Sequence, residues 1–144
     1  MQITTRNFGE IEVGADQVIR FEEGLPGFEE EKEFVLLNNY DTEEPVPFMW
    51  LQAAKNPDLA LVVSIPFFLR PDYEVEIPET VVKSLEINSP EEVGVYTVVK
   101  IEDKVENMTF NLMSPIVINA RNHKGTQVIQ DRTSWRVDER YVRA

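Results

Sequence analysis

The chain consists mainly of short apolar and β-branched runs separated by Pro, Gly, Asn and Asp residues. Polar and apolar positions alternate in runs such as 9–13 and 73–77, which is typical of strands with one buried face. Continuous apolar runs such as 34–37 and 59–65 indicate strands that are covered on both faces. The predicted strands are 2–6, 9–13, 17–21, 34–37, 48–52, 59–65, 73–77, 93–101, 109–112, 116–119 and 126–129.

Two connections between these runs predict hairpins. The polar segment 102–107 follows the longest predicted strand, and the turn 122–125 ends in Gly125, for which we expect a positive φ in a bulged turn. Helix signals are scarce. The sequence Ser-Pro-Glu-Glu at 89–92 is a helix start of about one turn, and 79–85 predicts a second short helix after a proline.

About ten short strands at regular spacing predict an all-β, mostly antiparallel fold. We expect a small β-barrel-like or pseudo-barrel domain, or a sandwich, with one or two short helices. The chain shows no internal repeat and no linker composition. A single domain spanning residues 1–144 is therefore the expectation.

Composition narrows the function classes. The 144 residues are 42% hydrophobic and 28% charged, with no Cys and one His. The hydrophobic fraction is too high for a disordered acidic tail. The lack of Cys excludes disulfides, thiolate metal sites and Cys nucleophiles, and it is compatible with a reducing compartment. Because we find neither a signal-peptide pattern nor an apolar run of membrane-spanning length, we expect a cytoplasmic protein without a membrane segment.

Charge is strong and uneven along the chain. The net charge is −12, which argues against direct nucleic-acid binding and favours solubility, a monomeric state and a basic partner. Residues 1–110 carry 23 acidic and 8 basic side chains, whereas residues 111–144 carry 3 acidic and 6 basic ones. The tail arginines fit a helical or a strand face, and we expect them to pair with the acidic body: Arg132, Arg136, Arg140 and Arg143.

One group of carboxylates is regularly spaced. On a strand, Asp72, Glu74 and Glu76 would share one face, about 6.5–7 Å apart. Such a straight row diverges too much for a metal site, so it is either a solvated face or a surface for a basic partner. The acidic run 29–33 is interpreted as a loop that protects the strand 34–37 from edge pairing, or as a source of long-range steering.

The most distinctive segment is Gly24-Leu25-Pro26-Gly27-Phe28. Its proline and two glycines predict a rigid turn that presents Leu25 and Phe28. These side chains either plug one end of the barrel or form an apolar contact on the surface.

Catalytic motifs are not apparent in the sequence. There is no nucleophile elbow, phosphate-binding loop, dinucleotide fingerprint or zinc-protease motif. His123 could act as a base or a pH switch, but its place in a predicted turn favours an exposed turn residue. Two alternatives stay open: a hydrolase with a carboxylate pair, and a carrier of a small ligand inside a barrel.

Several segments in order resemble the flagellar assembly factor FliW family, and together they cover nearly the whole chain. The first is Phe-Glu-Glu-Gly-Leu-Pro-Gly-Phe at 21–28. It is followed by Phe-Met-Trp-Leu-Gln at 48–52, Pro-Asp-Tyr at 71–73, Asn-Leu-Met-Ser-Pro-Ile-Val-Ile-Asn at 111–119, and Gly-Thr-Gln-Val-Ile at 125–129.

This resemblance implies a non-enzymatic regulator without a cofactor. Members of the family bind the C-terminal helical region of flagellin and also bind CsrA, a basic RNA-binding homodimer that represses translation. Flagellin-free protein sequesters CsrA at a surface away from its RNA site, which relieves repression of flagellin synthesis. We therefore expect Asp72, Glu74 and Glu76 to face CsrA. An apolar groove formed by Leu25, Phe28 and Ile116 is the expected flagellin site.

Overall fold

The computed structural model describes residues 1–6, 8–38, 48–100, 108–130 and 139–140. The strands are β1 (Gln2–Thr5), β2 (Gly9–Glu12), β3 (Val18–Arg20), β4 (Glu33–Asn38), β5 (Phe48–Ala53), β6 (Ala60–Ser64), β7 (Val93–Lys100), β8 (Thr109–Phe110), β9 (Ile116–Asn119), β10 (Lys124–Gln127) and β11 (Glu139–Arg140). The α-helices are α1 (Pro66–Leu69) and α2 (Glu79–Ser84), and single 3₁₀ turns span Ala15–Gln17 and Pro90–Glu92.

Seven strands close into a barrel in the order β7-β6-β5-β4-β3-β10-β9, because β9 pairs back onto β7. The long strand β7 makes this closure possible. Its first half pairs with β9, and its second half pairs with β6 and β8. Among the described strands, all pairs are antiparallel except β3 with β10, where Lys124 lies opposite Arg20. The prediction of an all-β, mostly antiparallel, barrel-like fold with little helix is confirmed.

The inside of the barrel is filled by apolar side chains. Phe21 and Phe34 pack edge to face there, with ring centroids 5.3 Å apart. Around them lie the other buried members of the main core: Ile19, Leu25, Leu51, Ala53, Leu59, Val63, Ile116 and Ile118. Their number and size follow from strands whose inward positions are apolar at every second residue.

Three layers cover the outside of the barrel. The β1–β2 hairpin packs Ile3 and Val13 on Val35 of β4. The second layer packs Tyr73 against β7 and the segment that contains β8. In the third, α2 and the residues after it cover Val117 of β9. Because apolar residues also occur at outward positions of β4, β7 and β9, these strands require cover on both faces.

Two local predictions are wrong. Residues 73–77 are extended, but they form no strand in the described structure. In the β9–β10 turn, His123 rather than Gly125 has the positive φ, at 61°. Gly125 is needed for a different reason, since a Cβ there would lie 2.9 Å from the ring of Phe21. The turn therefore places its strained residue at its tip and its glycine against the core.

Some predictions fall outside the described residues, among them the connection 102–107 and the arginines at positions 132, 136 and 143. Arg140 lies in β11, which pairs with β8. No helix in the described part of the chain is both long enough and apolar enough to cross a lipid bilayer.

Candidate partner-binding surface

The three regularly spaced carboxylates lie on one side of an extended outer segment. Asp72, Glu74 and Glu76 are exposed, whereas the residues between them turn toward the barrel. Tyr73 is 3% exposed, and its hydroxyl donates to the carbonyl of Leu112 at 2.6 Å. The predicted common face is therefore present, although a regular strand does not produce it.

A glutamine side chain fixes the register of this segment. Gln130 is buried, and its Nε2 donates to the carbonyl of Glu76 at 2.8 Å. Its Oε1 accepts from the backbone N–H of Glu76, also at 2.8 Å. The side-chain amide thus satisfies the two backbone groups that a neighbouring strand would otherwise pair. This contact keeps the Glu76 side chain pointing outward.

The charge of this row is not uniform. Arg70 donates from Nε and from Nη2 to the two carboxylate oxygens of Asp72, at 3.0 Å each. This side-chain hydrogen bond holds the pKa of Asp72 below its ordinary value. Asp72 therefore stays ionised, but its charge is largely compensated by Arg70. The negative field of the row comes mainly from Glu74 and Glu76.

An exposed aromatic ring packs against Tyr73, the residue between Asp72 and Glu74. Phe67 in α1 is 41% exposed, and its ring centroid is 5.9 Å from that of Tyr73. Sequence reasoning missed this residue. The available signal was an apolar pair directly after Pro66, where a short proline-initiated helix turns the chain away from β6. We call Phe67, Asp72, Glu74 and Glu76 the acidic patch.

The glycine-rich turn separates its two large apolar side chains. Leu25 is 3% exposed and belongs to the barrel core, whereas Phe28 is 42% exposed. The Phe28 N–H donates to the Leu25 carbonyl at 2.7 Å, which closes the turn. Gly24 has a φ of 65°, and a Cβ there would lie 2.6 Å from the backbone of Glu29. The predicted rigid turn is present, but Leu25 plugs the barrel and is not available to a partner.

Ile116 is also not part of an accessible apolar groove. It is 0% exposed, on a strand whose four residues are all buried. In β9 it pairs with Gln127 on one side and with Tyr96 on the other. Central strands of a closed barrel that are covered on the outside leave no surface for a partner. Of the three residues predicted for an apolar groove, only Phe28 is accessible.

A polar cleft lies outside the barrel, between α2 and the β3–β10 junction. Its charged and hydroxyl groups include Arg20, Glu22, Ser84 and Lys124. Lys124 pairs with Glu86 at 2.9 Å, and this contact raises the pKa of Lys124. The cleft thus lies apart from the apolar core of the barrel.

The described residues also bear on two further kinds of site, a metal site and an acid–base pair. No group of three or more His, Asp or Glu side chains there could hold a metal ion. Within the described ranges, the carboxyl groups with shifted pKa values shift downward, through hydrogen bonds to backbone or to cationic side chains: Glu29, Asp72, Glu86 and Glu92. A general acid in a carboxylate pair requires a shift in the opposite direction. His123 lies half-buried in its turn.

Comparison with known proteins gives a consistent result. A family model described as FliW protein matches residues 2–141. The chain is 46% identical over 135 residues to the flagellar assembly factor FliW of Thermoanaerobacter pseudethanolicus, covering 94% of this chain and 89% of that relative. It is 40% identical over 140 residues to the protein of the same name from Geobacillus kaustophilus, covering 97% and 94%.

A solved structure extends this similarity to three dimensions. The crystal structure of the flagellar assembly factor FliW is similar to this chain with a TM-score of 0.90 and 35% sequence identity. The alignment covers 100% of this chain and 99% of that one. The barrel and its outer layers are therefore shared over the full length of both chains.

Proposed function

This chain belongs to the FliW family of flagellar assembly factors, and on that premise we propose that it couples flagellin to the translational repressor CsrA. Its role lies in flagellar assembly. In the proposal, the protein binds the C-terminal helical region of flagellin in the cytoplasm. When it is free of flagellin, it binds CsrA away from the RNA site and relieves repression of flagellin translation. No catalytic step is assigned to it.

The observation that carries the CsrA half of the proposal is the acidic patch. It combines exposed carboxylates with an exposed aromatic ring, on a segment whose inner side is anchored by Tyr73 and Gln130. An RNA-binding homodimer carries basic surface, so the carboxylates would steer it and raise the association rate. Phe67 would supply the apolar contact that slows dissociation, since aromatic residues are enriched at interface centres.

The test of the electrostatic part is a pair of charge-matched triple variants. Replacing Asp72, Glu74 and Glu76 with Ser should slow association with CsrA about tenfold at low ionic strength, within the usual range of electrostatic steering. The matched control replaces Glu29, Glu30 and Glu31 with Ser and removes the same charge from another region. Stopped-flow association and displacement of RNA from CsrA are measured for both.

The control variant shows whether association with CsrA depends on the acidic patch or on the net charge of the protein. If the association rate with CsrA falls equally in both triple variants, the acidic patch has no special role. The overall charge of the protein then explains the steering. If neither changes the RNA displacement curve at low salt, the acidic patch does not face CsrA.

For flagellin, the accessible candidate is Phe28 on its glycine-defined turn. A rigid turn presents an apolar side chain at little entropic cost, which suits contact with an amphipathic helix. We expect Phe28→Ala to weaken flagellin binding and to leave CsrA binding unchanged, whereas Phe67→Ala should do the reverse. Calorimetry with each partner measures both. Loss of both partners in either variant would contradict separate surfaces.

A further inference from the structure

The N-terminal hairpin forms a separate two-stranded sheet on the outside of the barrel. In β1 and β2, Ile3 lies opposite Ile11 and Thr4 lies opposite Glu10. The apolar members of the hairpin pack on Val35 and its neighbours, which fixes the inner face. Within the described residues, neither strand pairs with any strand of the barrel. The hairpin therefore has an outer edge along β2.

The register shows which backbone groups lie on that edge. The Val13 N–H donates to the Met1 carbonyl at 2.8 Å across the hairpin. Hydrogen-bonded pairs recur at every second residue of an antiparallel ladder, so Ile3 and Ile11 form the next such pair. The backbone groups of Glu10 and Glu12 consequently point away from β1. No hydrogen bond from the described residues engages these two N–H and two C=O groups.

The side chains along the same edge carry a matching charge pattern. Glu10 and Glu12 are both exposed, and Ile11 between them turns toward the barrel. Only Glu12 has an ion-pair partner in the described structure, the terminal ammonium of Met1 at 3.0 Å. Two copies of this edge would place carboxylates opposite carboxylates, which disfavours self-pairing. A strand with cationic side chains at alternate positions would instead form cross-strand ion pairs.

We propose that the β2 edge binds an extended basic peptide segment as a third strand of the hairpin sheet. The outward backbone groups of Glu10 and Glu12 supply the hydrogen bonds, and their carboxylates select Lys or Arg at alternate positions. This mode is strand addition, in which the main chain gives affinity and alternate side chains give specificity. The site shares no residue with the acidic patch and does not depend on the proposed function.

The probe is a capped hexapeptide, Lys-Thr-Lys-Val-Lys-Thr, titrated into the full chain and followed by amide NMR spectra. We expect shift changes centred on β2, and slower hydrogen exchange at the amides of Glu10 and Glu12. Two N-methylated versions of the peptide, blocked at odd or at even amides, provide the control. One version should bind like the parent, and the other should lose about 2- to 12-fold per hydrogen bond removed.

Protein variants test the same edge from the other side. Glu10→Pro removes an outward N–H that the hairpin itself does not use, and it should weaken peptide binding. Thr4→Pro removes the equivalent outward group from the opposite edge of the hairpin and should leave binding unchanged. Glu10→Gln keeps the backbone donor and should reduce only the salt-sensitive part of the affinity.

Three results would overturn the proposal. Equal binding of the parent and both methylated peptides would indicate charge attraction without strand pairing. Shift changes at β2 that depend on protein concentration without peptide would indicate a second copy of the chain as the occupant. Shift changes centred on the acidic patch would place the peptide elsewhere. If Glu10→Pro unfolds the hairpin, the methylated peptides decide the question on the unaltered protein.

Discussion

The barrel wall and the outer segment 67–77 are held in place by different kinds of contact. Each barrel strand pairs on both sides, and its inward residues pack in a filled interior. In the described structure, the outer segment is not part of a β-sheet. It depends on the phenol of Tyr73, the amide of Gln130 and the guanidinium of Arg70. Packing density therefore sets the stability of the wall, whereas a few polar contacts set the position of the acidic patch.

The largest expected effect comes from the barrel interior. Phe21 is fully buried against Phe34 and beside Gly125. Phe21→Ala should lower the free energy of unfolding by about 3–5 kcal/mol, because the closed wall cannot collapse into the cavity. Chemical denaturation measures this. As a control, Phe67→Ala in the outer segment should change the free energy of unfolding by less than about 1 kcal/mol. An equal loss in both variants would contradict the difference between the barrel interior and the outer segment.

The next effect concerns the turn that places Leu25 in the barrel core. Gly24→Ala should cost about 2–4 kcal/mol, since left-handed backbone strain adds to a clash with the backbone of Glu29. Gly9→Ala is the matched control, because Gly9 has a similar φ of 68° with open space around it. It should cost only the backbone part, about 1–2 kcal/mol. Equal melting temperatures for the two variants would contradict the steric argument.

A smaller effect is expected where a side chain, and not a neighbouring strand, forms the hydrogen bonds to the backbone. Gln130→Ala removes both hydrogen bonds to the backbone of Glu76 and should cost about 1–3 kcal/mol. It should also raise the amide exchange rate at Glu76 and weaken CsrA binding, while amides of β4 and β5 remain protected. Uniform exchange across the chain would show that the outer segment and the wall unfold together.

The smallest effect is pH-dependent. Burial raises the pKa of Tyr73 to about 12, above the ordinary value of 10. The neutral phenol is therefore favoured in the folded state, and its stabilising contribution is complete below pH 10 and is lost as the pH rises toward 12. Tyr73→Phe should cost about 0.5–1.5 kcal/mol at neutral pH, and this difference should shrink above pH 10. Denaturation at pH 8 and pH 11 tests it, and a constant difference would contradict it.

Sequence reasoning worked best where patterns are local. The strand 116–119 and the short helix after Pro78 were predicted with nearly their observed bounds, because a β-branched apolar run and the position of a proline act within a few residues. The exposed face of Asp72, Glu74 and Glu76 was also predicted correctly. The strand assigned to 73–77 was wrong, since alternation reports a half-buried extended chain and not the partner that supplies its hydrogen bonds.

The candidate surface was harder to predict than the fold. Leu25, Ile116 and Phe28 are similar in hydrophobicity, yet two lie in the core and one in solvent. Phe67 gave no functional signal in the sequence, although it is exposed and its ring contacts that of Tyr73. Hydrophobicity does not distinguish a core residue from a contact residue, because both favour removal from water.

By itself, the sequence determined the family, the β-rich fold class, the position of most strands, the acidic charge and the exposure of the patch carboxylates. Only the tertiary structure decided that β3 pairs with β10 in parallel, that β9 closes onto β7, and which apolar residues stay exposed. The physical reason is the distance along the sequence over which each interaction acts. Alternation, turn chemistry and net charge are local or additive properties of the chain, whereas barrel closure and burial depend on contacts between residues far apart in sequence.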